Sequence, residues 1–170
     1  ISLDINKFQM KALNTLSLGE VKDASGFFTG QFRISGNASS PEYSGELNFV
    51  NSIFNIAKLN TELLLENEKL KLNKTGIVLE NFNLQDTNQN KLMIDGKINT
   101  DNMLNPTFDL ALKAKNFKAL DAKRDDNDLF FGSIFFDTDV SIDGDLNIPV
   151  VKGSISVNSN TDFVYIIPQS

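Results

Sequence analysis

The sequence predicts an all-β fold, with roughly a dozen strands of ordinary length and at most one or two short helices. Apolar and polar residues alternate with period two along most of the chain, which puts apolar side chains on one face of a strand. Clusters of Asn, Asp and Gly break the alternation at strand-length intervals. Apolar residues at helical spacing are scarce.

Ile1, Leu3 and Ile5 open the pattern, and Phe28, Gly30, Phe32, Ile34 and Gly36 continue it. Between them, Phe8 to Val21 has room for one short helix. Leu47 and Phe49 follow Gly45. Leu63/Leu65, Leu70/Leu72 and Ile77/Leu79 form short segments, and Leu92, Ile94, Gly96 and Ile98 a longer one. Phe108, Leu110, Leu112 and Ala114 alternate cleanly with Asp109, Ala111 and Lys113. Asn116 to Asp121 predicts a single helical turn, and Lys123 to Asp128 an exposed charged loop. Ile134, Phe136, Val140 and Ile142 are followed by Ile155 and Val157, and the stretch from Phe163 to Ile167 is apolar on both faces. Turns are expected at Glu66-Asn67-Glu68, Asp86 to Asn90, Asp143-Gly144-Asp145 and Asn158 to Asn160.

An internal repeat runs through this pattern. Phe32-Arg-Ile34-Ser-Gly36, Pro41 and Gly45-Glu-Leu47-Asn-Phe49 recur residue for residue, 108 positions on, as Val140-Ser-Ile142-Asp-Gly144, Pro149 and Gly153-Ser-Ile155-Ser-Val157. Leu3, Ile5 and Phe8 are echoed by Leu110, Leu112 and Phe117. The glycines suit turns or close strand approach, and the prolines are expected to interrupt pairing. Residues 58–105 repeat the grammar without the proline signature. No linker or composition break divides the chain, so residues 1–170 are expected to form one domain.

Composition limits the function. The net charge of −6 argues against nucleic acid, whose phosphates need clustered Lys and Arg. No apolar run approaches the ~18 residues of a membrane-spanning helix. With neither Cys nor His, the chain offers no disulfide, thiolate zinc site, thiol nucleophile or imidazole base. The paired carboxylates Asp137, Asp139, Asp143 and Asp145, and the group Asp125, Asp126 and Asp128, read as a solvated strand face and turn chemistry. They lack the spacing of a calcium loop. No glycine-rich loop precedes a helix to hold phosphate. No catalytic residue, metal ligand or cofactor is expected. The 14 phenylalanines are interleaved with Asp, Asn, Ser and Thr, so they form either a sandwich core or the lining of an open apolar groove.

Several segments resemble the C-terminal conserved region of the TamB family of Gram-negative envelopes. They are Ala24-Ser-Gly26-Phe-Phe-Thr-Gly30-Gln-Phe-Arg-Ile-Ser-Gly36 with Pro41 and Gly45, Leu79-Glu-Asn-Phe82-Asn-Leu84-Gln-Asp86 with Asn90-Lys-Leu-Met-Ile-Asp-Gly96, and Asn116-Phe117-Lys-Ala-Leu120 with Phe131-Gly132 and Val140-Ser-Ile-Asp-Gly144. Leu59 to Glu62 and Thr161 to Pro168 add to the likeness, which covers essentially the whole chain.

The resemblance implies an elongated antiparallel sheet rolled into a half-open trough, or β-taco, apolar inside and polar outside. It implies a periplasmic piece of a longer, inner-membrane-anchored protein that engages an outer-membrane barrel assembly protein of the TamA/BamA kind. Lipid transport between the membranes and assistance to outer-membrane protein assembly are the functions it implies. The expected lining, in contact with phospholipid acyl chains, is Phe28, Phe32, Ile34, Leu47, Phe49, Leu63, Leu65, Leu92, Ile94, Phe108, Leu110, Leu112, Ile134, Phe136, Ile142, Ile155 and Val157. Two other readings stay open at this stage. One is a chaperone-like module that pairs client β-strands on its edges, and the other is a structural β scaffold. An isolated segment with a bare apolar face is also expected to be able to dimerise over it.

Overall fold

The computed structural model describes residues 1–37, 40–102, 104–125 and 129–167. Asp126, Asp128 and Pro168 of the sequence reading lie outside these residues. The chain runs through β1 (Ser2–Gln9), a 3-10 turn (Met10–Ala12), α1 (Leu13–Leu16), β2 (Val21–Asn37), β3 (Ser40–Ile56), β4 (Thr61–Leu65), β5 (Lys69–Asn73) and β6 (Gly76–Gln85). It continues through β7 (Lys91–Asn99), β8 (Thr107–Ala122), β9 (Phe130–Asp145), β10 (Pro149–Val157) and β11 (Asp162–Tyr165). Strands take up 72% of the residues and α1 has only four, so among the described residues no helical layer covers the sheet.

All eleven strands belong to one antiparallel sheet in the order β1-β2-β3-β4-β6-β7-β8-β9-β10. β5 lies between β3 and β6, and β11 pairs with β9. The sheet is not a closed barrel: β1 lies at one edge, and β10 and β11 at the other.

The long strands are interrupted near their middles. β4 and β5 both run antiparallel to β3, one after the other, with the break at residues 66–68. β10 and β11 follow each other along β9 in the same way. β3, β6 and β8 each bulge around an asparagine in the left-handed region, Asn51 (φ 44°), Asn81 (φ 49°) and Asn116 (φ 51°), and β2 breaks around Asp23 (φ 54°) and Gly26 (φ 81°). Each extra residue shifts the alternation by one, so Leu47 and Phe49 share a face with Phe54 and Ile56. A bulge also bends its strand and increases twist. Bulges across successive strands roll the sheet into a trough, as the resemblance implied.

The internal repeat is a structural repeat. Phe32 opposes Gly45, Ile34 opposes Tyr43 and Gly36 opposes Pro41. At the same offset Val140 opposes Gly153, Ile142 opposes Val151 and Gly144 opposes Pro149. The third strand repeats too, but Leu3 and Ile5 correspond in register to Leu112 and Ala114 rather than to Leu110 and Leu112, and Phe8 to Phe117: the register slips between Ile5 and Phe8 in β1 and between Ala114 and Phe117 in β8. β1–β2–β3 is thus copied as β8–β9–β10.

Three local expectations are corrected. Asn116 to Asp121 is not a helical turn but the continuation of β8 beyond its bulge. Asp143-Gly144-Asp145 is still strand, and the reversal comes at residues 146–148. The prolines do not interrupt pairing. Pro149 opens β10 and Pro41 sits one residue into β3, each opposite a glycine where the hairpin strands begin to pair. The short helix expected between Phe8 and Val21 is present as α1, although Phe8 itself belongs to β1.

Gly96 supports the middle of the sheet at a φ of +130°, and a Cβ added there would run into the carbonyl oxygen of Asp109 on β8. Gly96→Ala should therefore lower stability by about 1–3 kcal/mol, the usual cost of forced strain. A urea titration followed by circular dichroism measures this, and an unchanged midpoint would contradict the assigned β7–β8 register.

Candidate apolar groove

Residues directly opposite each other on antiparallel strands project from the same face. The pairing therefore assembles the apolar side chains into transverse rows. Leu3, Phe32, Gly45, Leu72, Ile77, Ile98, Phe108 and Gly144 make one row. The next holds Ile5, Gly30, Leu47, Leu70, Leu79, Gly96, Leu110, Ile142 and Val151. The third runs from Phe8, Phe28 and Phe49 to Phe82, Ile94, Leu112, Val140 and Gly153. Ring contacts bind its first half, at 4.8 Å for Phe8–Phe28, 5.7 Å for Phe28–Phe49 and 6.3 Å for Phe49–Phe82.

Past the bulges the same face carries Leu65 opposite Ser52, Leu92 opposite Leu84, and Ile155 opposite Thr138. Leu63 lies opposite Phe54, and Phe136 is flanked by Phe117 and Val157. Ile134 lies opposite Leu120. Ile34 extends the face to its upper rim, where its N–H donates to the Ile1 carbonyl at 2.7 Å. All the residues expected to line the groove thus lie on one face.

Burial varies across that face. Leu65, Leu79 and Phe82 are buried and pack against half-buried Phe49, Phe54, Leu70, Ile77, Leu84, Ile94 and Leu110. Phe28, Phe32, Leu47, Phe108, Leu112, Phe136 and Ile142 are half-buried too. Ile34, Ile155 and Val157, at the rim and on edge strand β10, are exposed. The glycines of the rows are low points filled by neighbours. The Phe32 ring lies over Gly45 and Leu47 leans on Gly30, so close that a Cβ at either glycine would clash.

The sequence reading left out Phe8, Leu70, Leu72, Ile77, Leu79, Ile98 and Val140, although all but Phe8 alternate visibly. It also missed Phe54, Phe82 and Phe117. These follow the three positive-φ asparagines, where a strict period of two predicts the opposite face.

At its lower end the trough pinches. Beyond Asn116, β8 leaves β7 and meets the β3–β4 turn. Asn60 Nδ2 donates to the Asp121 carbonyl at 2.9 Å, and Thr61 Oγ1 to the Ala119 carbonyl at 2.7 Å. Asp86, buried at the tip of the β6–β7 hairpin, accepts from the N–H groups of Asn88, Asn90 and Lys118 at 2.7–2.9 Å. Behind this seam lies an apolar cavity of about 220 Å³ lined by Ile56, Leu59, Thr61, Leu63, Leu84, Leu92, Phe117, Ala119 and Phe136.

The opposite face carries most of the charged side chains, alongside Phe27, Leu64, Val78 and Phe135. Ion pairs span neighbouring strands at Lys69–Glu46 (3.2 Å), Lys71–Glu80 (2.6 Å) and Lys113–Asp139 (3.4 Å). Such exposed pairs add little stability, but they mark which side of the sheet faces water. Among the described residues, no group of three or more Asp and Glu side chains is placed to hold a metal ion. No helix of the described residues is long and apolar enough to cross a membrane.

A family model for the TamB C-terminal domain matches residues 80–170, from β6 to the end of the chain. The chain belongs to the TamB family. No curated protein and no solved structure matches it. TamB is a periplasmic, non-enzymatic family of envelope biogenesis and transport, associated in general with the outer-membrane protein TamA. The region before the match, residues 1–79, carries the first copy of the chain's internal repeat, and the matched region carries the second.

One polar pin fixes the repeat's second copy. Asp137 accepts from the Asn158 side chain at 2.8 Å and from the Asn116 N–H at 2.7 Å, tying the β8 bulge to the turn between β10 and β11. These bonds, that of Asn158 foremost, hold its carboxyl below the ordinary 3.8. Folding therefore favours the ionised form. Its stabilising effect is complete above the unfolded value and is lost as pH falls below 3.8 through the lower folded value. Asp137→Asn should lower the urea midpoint at neutral pH, and the gap to the wild type should narrow as the pH falls below 3.8. A gap that persists unchanged at the lowest pH would rule out this role for the carboxylate.

Proposed function

We propose that residues 1–170 form one groove unit that shields lipid acyl chains in the periplasm, carrying phospholipid between the inner and outer membranes. In this reading the unit belongs to a longer protein anchored in the inner membrane. That protein engages an outer-membrane barrel partner of the TamA kind and assists outer-membrane protein translocation and assembly. No catalysis is assigned to the unit.

The observation that carries the proposal is an apolar face left without a second layer. The accessible surface is 10866 Å², against roughly 8,300 Å² for a compact monomer of this mass. The excess fits a one-layer sheet whose aromatic and aliphatic rows stay half-exposed. Exposing a lipid tail to water costs about 0.8 kcal/mol per CH₂, or on the order of 12 kcal/mol for sixteen carbons. A carrier must offer matching burial along the tail. At ~4.8 Å per strand, rows crossing nine strands run about 38 Å, more than the ~30 Å hydrocarbon core that two opposed tails fill. Similar side chains recur at each step, so a tail can slide without meeting a deep trap.

Phe32 and Leu112 line the face outside the central buried cluster. Phe32→Asp with Leu112→Asp should lower the phospholipid that co-purifies with the chain by about tenfold, equivalent to ~1.4 kcal/mol. Native mass spectrometry counts the bound lipid, and circular dichroism checks that the sheet is intact. The wet-face variant Lys97→Glu should retain its lipid. A folded double variant with wild-type lipid content would refute the groove assignment.

A further inference from the structure

We propose that the free edge of β10 is a docking site for an extended protein segment that pairs antiparallel, with apolar residues toward the groove and basic residues toward water. The internal repeat carries the argument. In the first copy, the far edge of β3 is covered by β5: Gly45 opposes Leu72, Glu46 opposes Lys71, Leu47 opposes Leu70 and Asn48 opposes Lys69. In the second copy the matching edge is that of β10, where Gly153, Ser154, Ile155 and Ser156 occupy the four equivalent places.

β10 pairs with β9 on one side only, and all nine of its residues are exposed. Edges of this length are normally blunted by charges, prolines or bulges. Here Pro149 stands at the first position and Lys152 is the one charge. The first copy also shows which backbone groups face outward. The Phe49 N–H points away from β2 and donates to the Glu68 carbonyl at 2.8 Å. Its equivalent is Val157, so by alternation the N–H groups of Ile155 and Gly153 point to the free side.

Charge selects the chemistry of the occupant. In the first copy, Lys69 of the covering strand pairs with Glu46 of β3 at 3.2 Å. The outer face of the second copy carries Asp109, Asp121, Asp137, Asp139, Asp143 and Asp145 against Lys113, Lys115, Lys118 and Lys152. This acidic excess favours a segment that presents Lys or Arg opposite Ser154 and Ser156. Apolar side chains at alternate positions would then cover Gly153 and Ile155 and extend the rows by one strand.

The probe is a synthetic peptide with the sequence of residues 61–73, which contains both strands that cover β3. Added to the full 170-residue chain, it should bind one to one and slow amide hydrogen exchange across residues 150–157. Ile155→Pro removes an outward N–H and should weaken binding at least about tenfold. The double variant Ser154→Lys with Ser156→Lys leaves the backbone and the groove untouched, and it should weaken binding through charge alone, most at low salt. A peptide with Lys69→Glu and Lys71→Glu should bind less well than the parent. Failure to bind, protection at β1 instead of β10, or equal binding by all the variants would each overturn the proposal. A dimer of the chain that vanishes in Ile155→Pro would likewise overturn it, because the edge would then serve a second copy.

Discussion

A slip of one residue between any two strands would turn every apolar side chain beyond it onto the wet face. The whole arrangement therefore rests on cross-strand register, which must hold from Leu3 on β1 to Val157 on β10. The molecule controls it by matching interruptions. A bulge in one strand alone would break the rows beyond it. Here β3 shifts phase at Asn51, β6 at Asn81 and β8 at Asn116, and the apolar face emerges on the same side after each shift. Asparagine suits these positions because its short polar side chain tolerates the left-handed region better than most residues. Hydrogen bonds fix two of the shifts. The Asn81 N–H donates to Asp95 at 2.6 Å, and the Asn116 N–H to Asp137 at 2.7 Å.

This control explains what could be read in advance. Alternation within a strand is local, so the all-β class and most strand positions follow directly from the sequence. The repeat was legible for a related reason: Gly36 with Pro41 and Gly144 with Pro149 sit opposite each other at the same step of two hairpins, and equal spacing along the chain became equal register. Phase shifts are not local. Asn81 and Asn116 look like ordinary polar residues until the partner strand is known, so Phe82 and Phe117 were left off the lining. Asn116 to Asp121 resembled a helical turn because the bulge removes the alternation there, while the ladder to β9 restores the strand. The pinch was likewise unreadable, since it depends on Thr61 and Asn60 reaching Ala119 and Asp121 across the fold.

The two faces bear different burdens. On the wet face, opposite charges alternate between strands and remain solvated, so they contribute little energy but penalise slipped registers that would bring like charges together. On the dry face, Leu65, Leu79 and Phe82 form one buried cluster, and Leu63, Phe117, Leu120 and Val140 are buried beyond it. The core of the fold is therefore a strip rather than a layer. Toward the rims the same rows become progressively more accessible, ending at Ile34, Ile155 and Val157.

A core that shades into a binding surface constrains how both can change. In a two-layer sandwich, the residues that stabilise the fold and those that touch a ligand are different sets. In this sheet they are successive members of the same rows. Phe49 packs edge-on against Phe82 and also faces the trough, so altering it disturbs stability and surface together. Phe32, two rows nearer the rim, rests on Gly45 and leaves the central strip intact. The glycines make this gradation workable. By letting large neighbours lie flat, they keep the floor apolar without raising it, and the sheet stays concave though its face is rich in phenylalanine and leucine. The face that a lipid tail would need is thus shaped by the same register and bends that let the sheet fold.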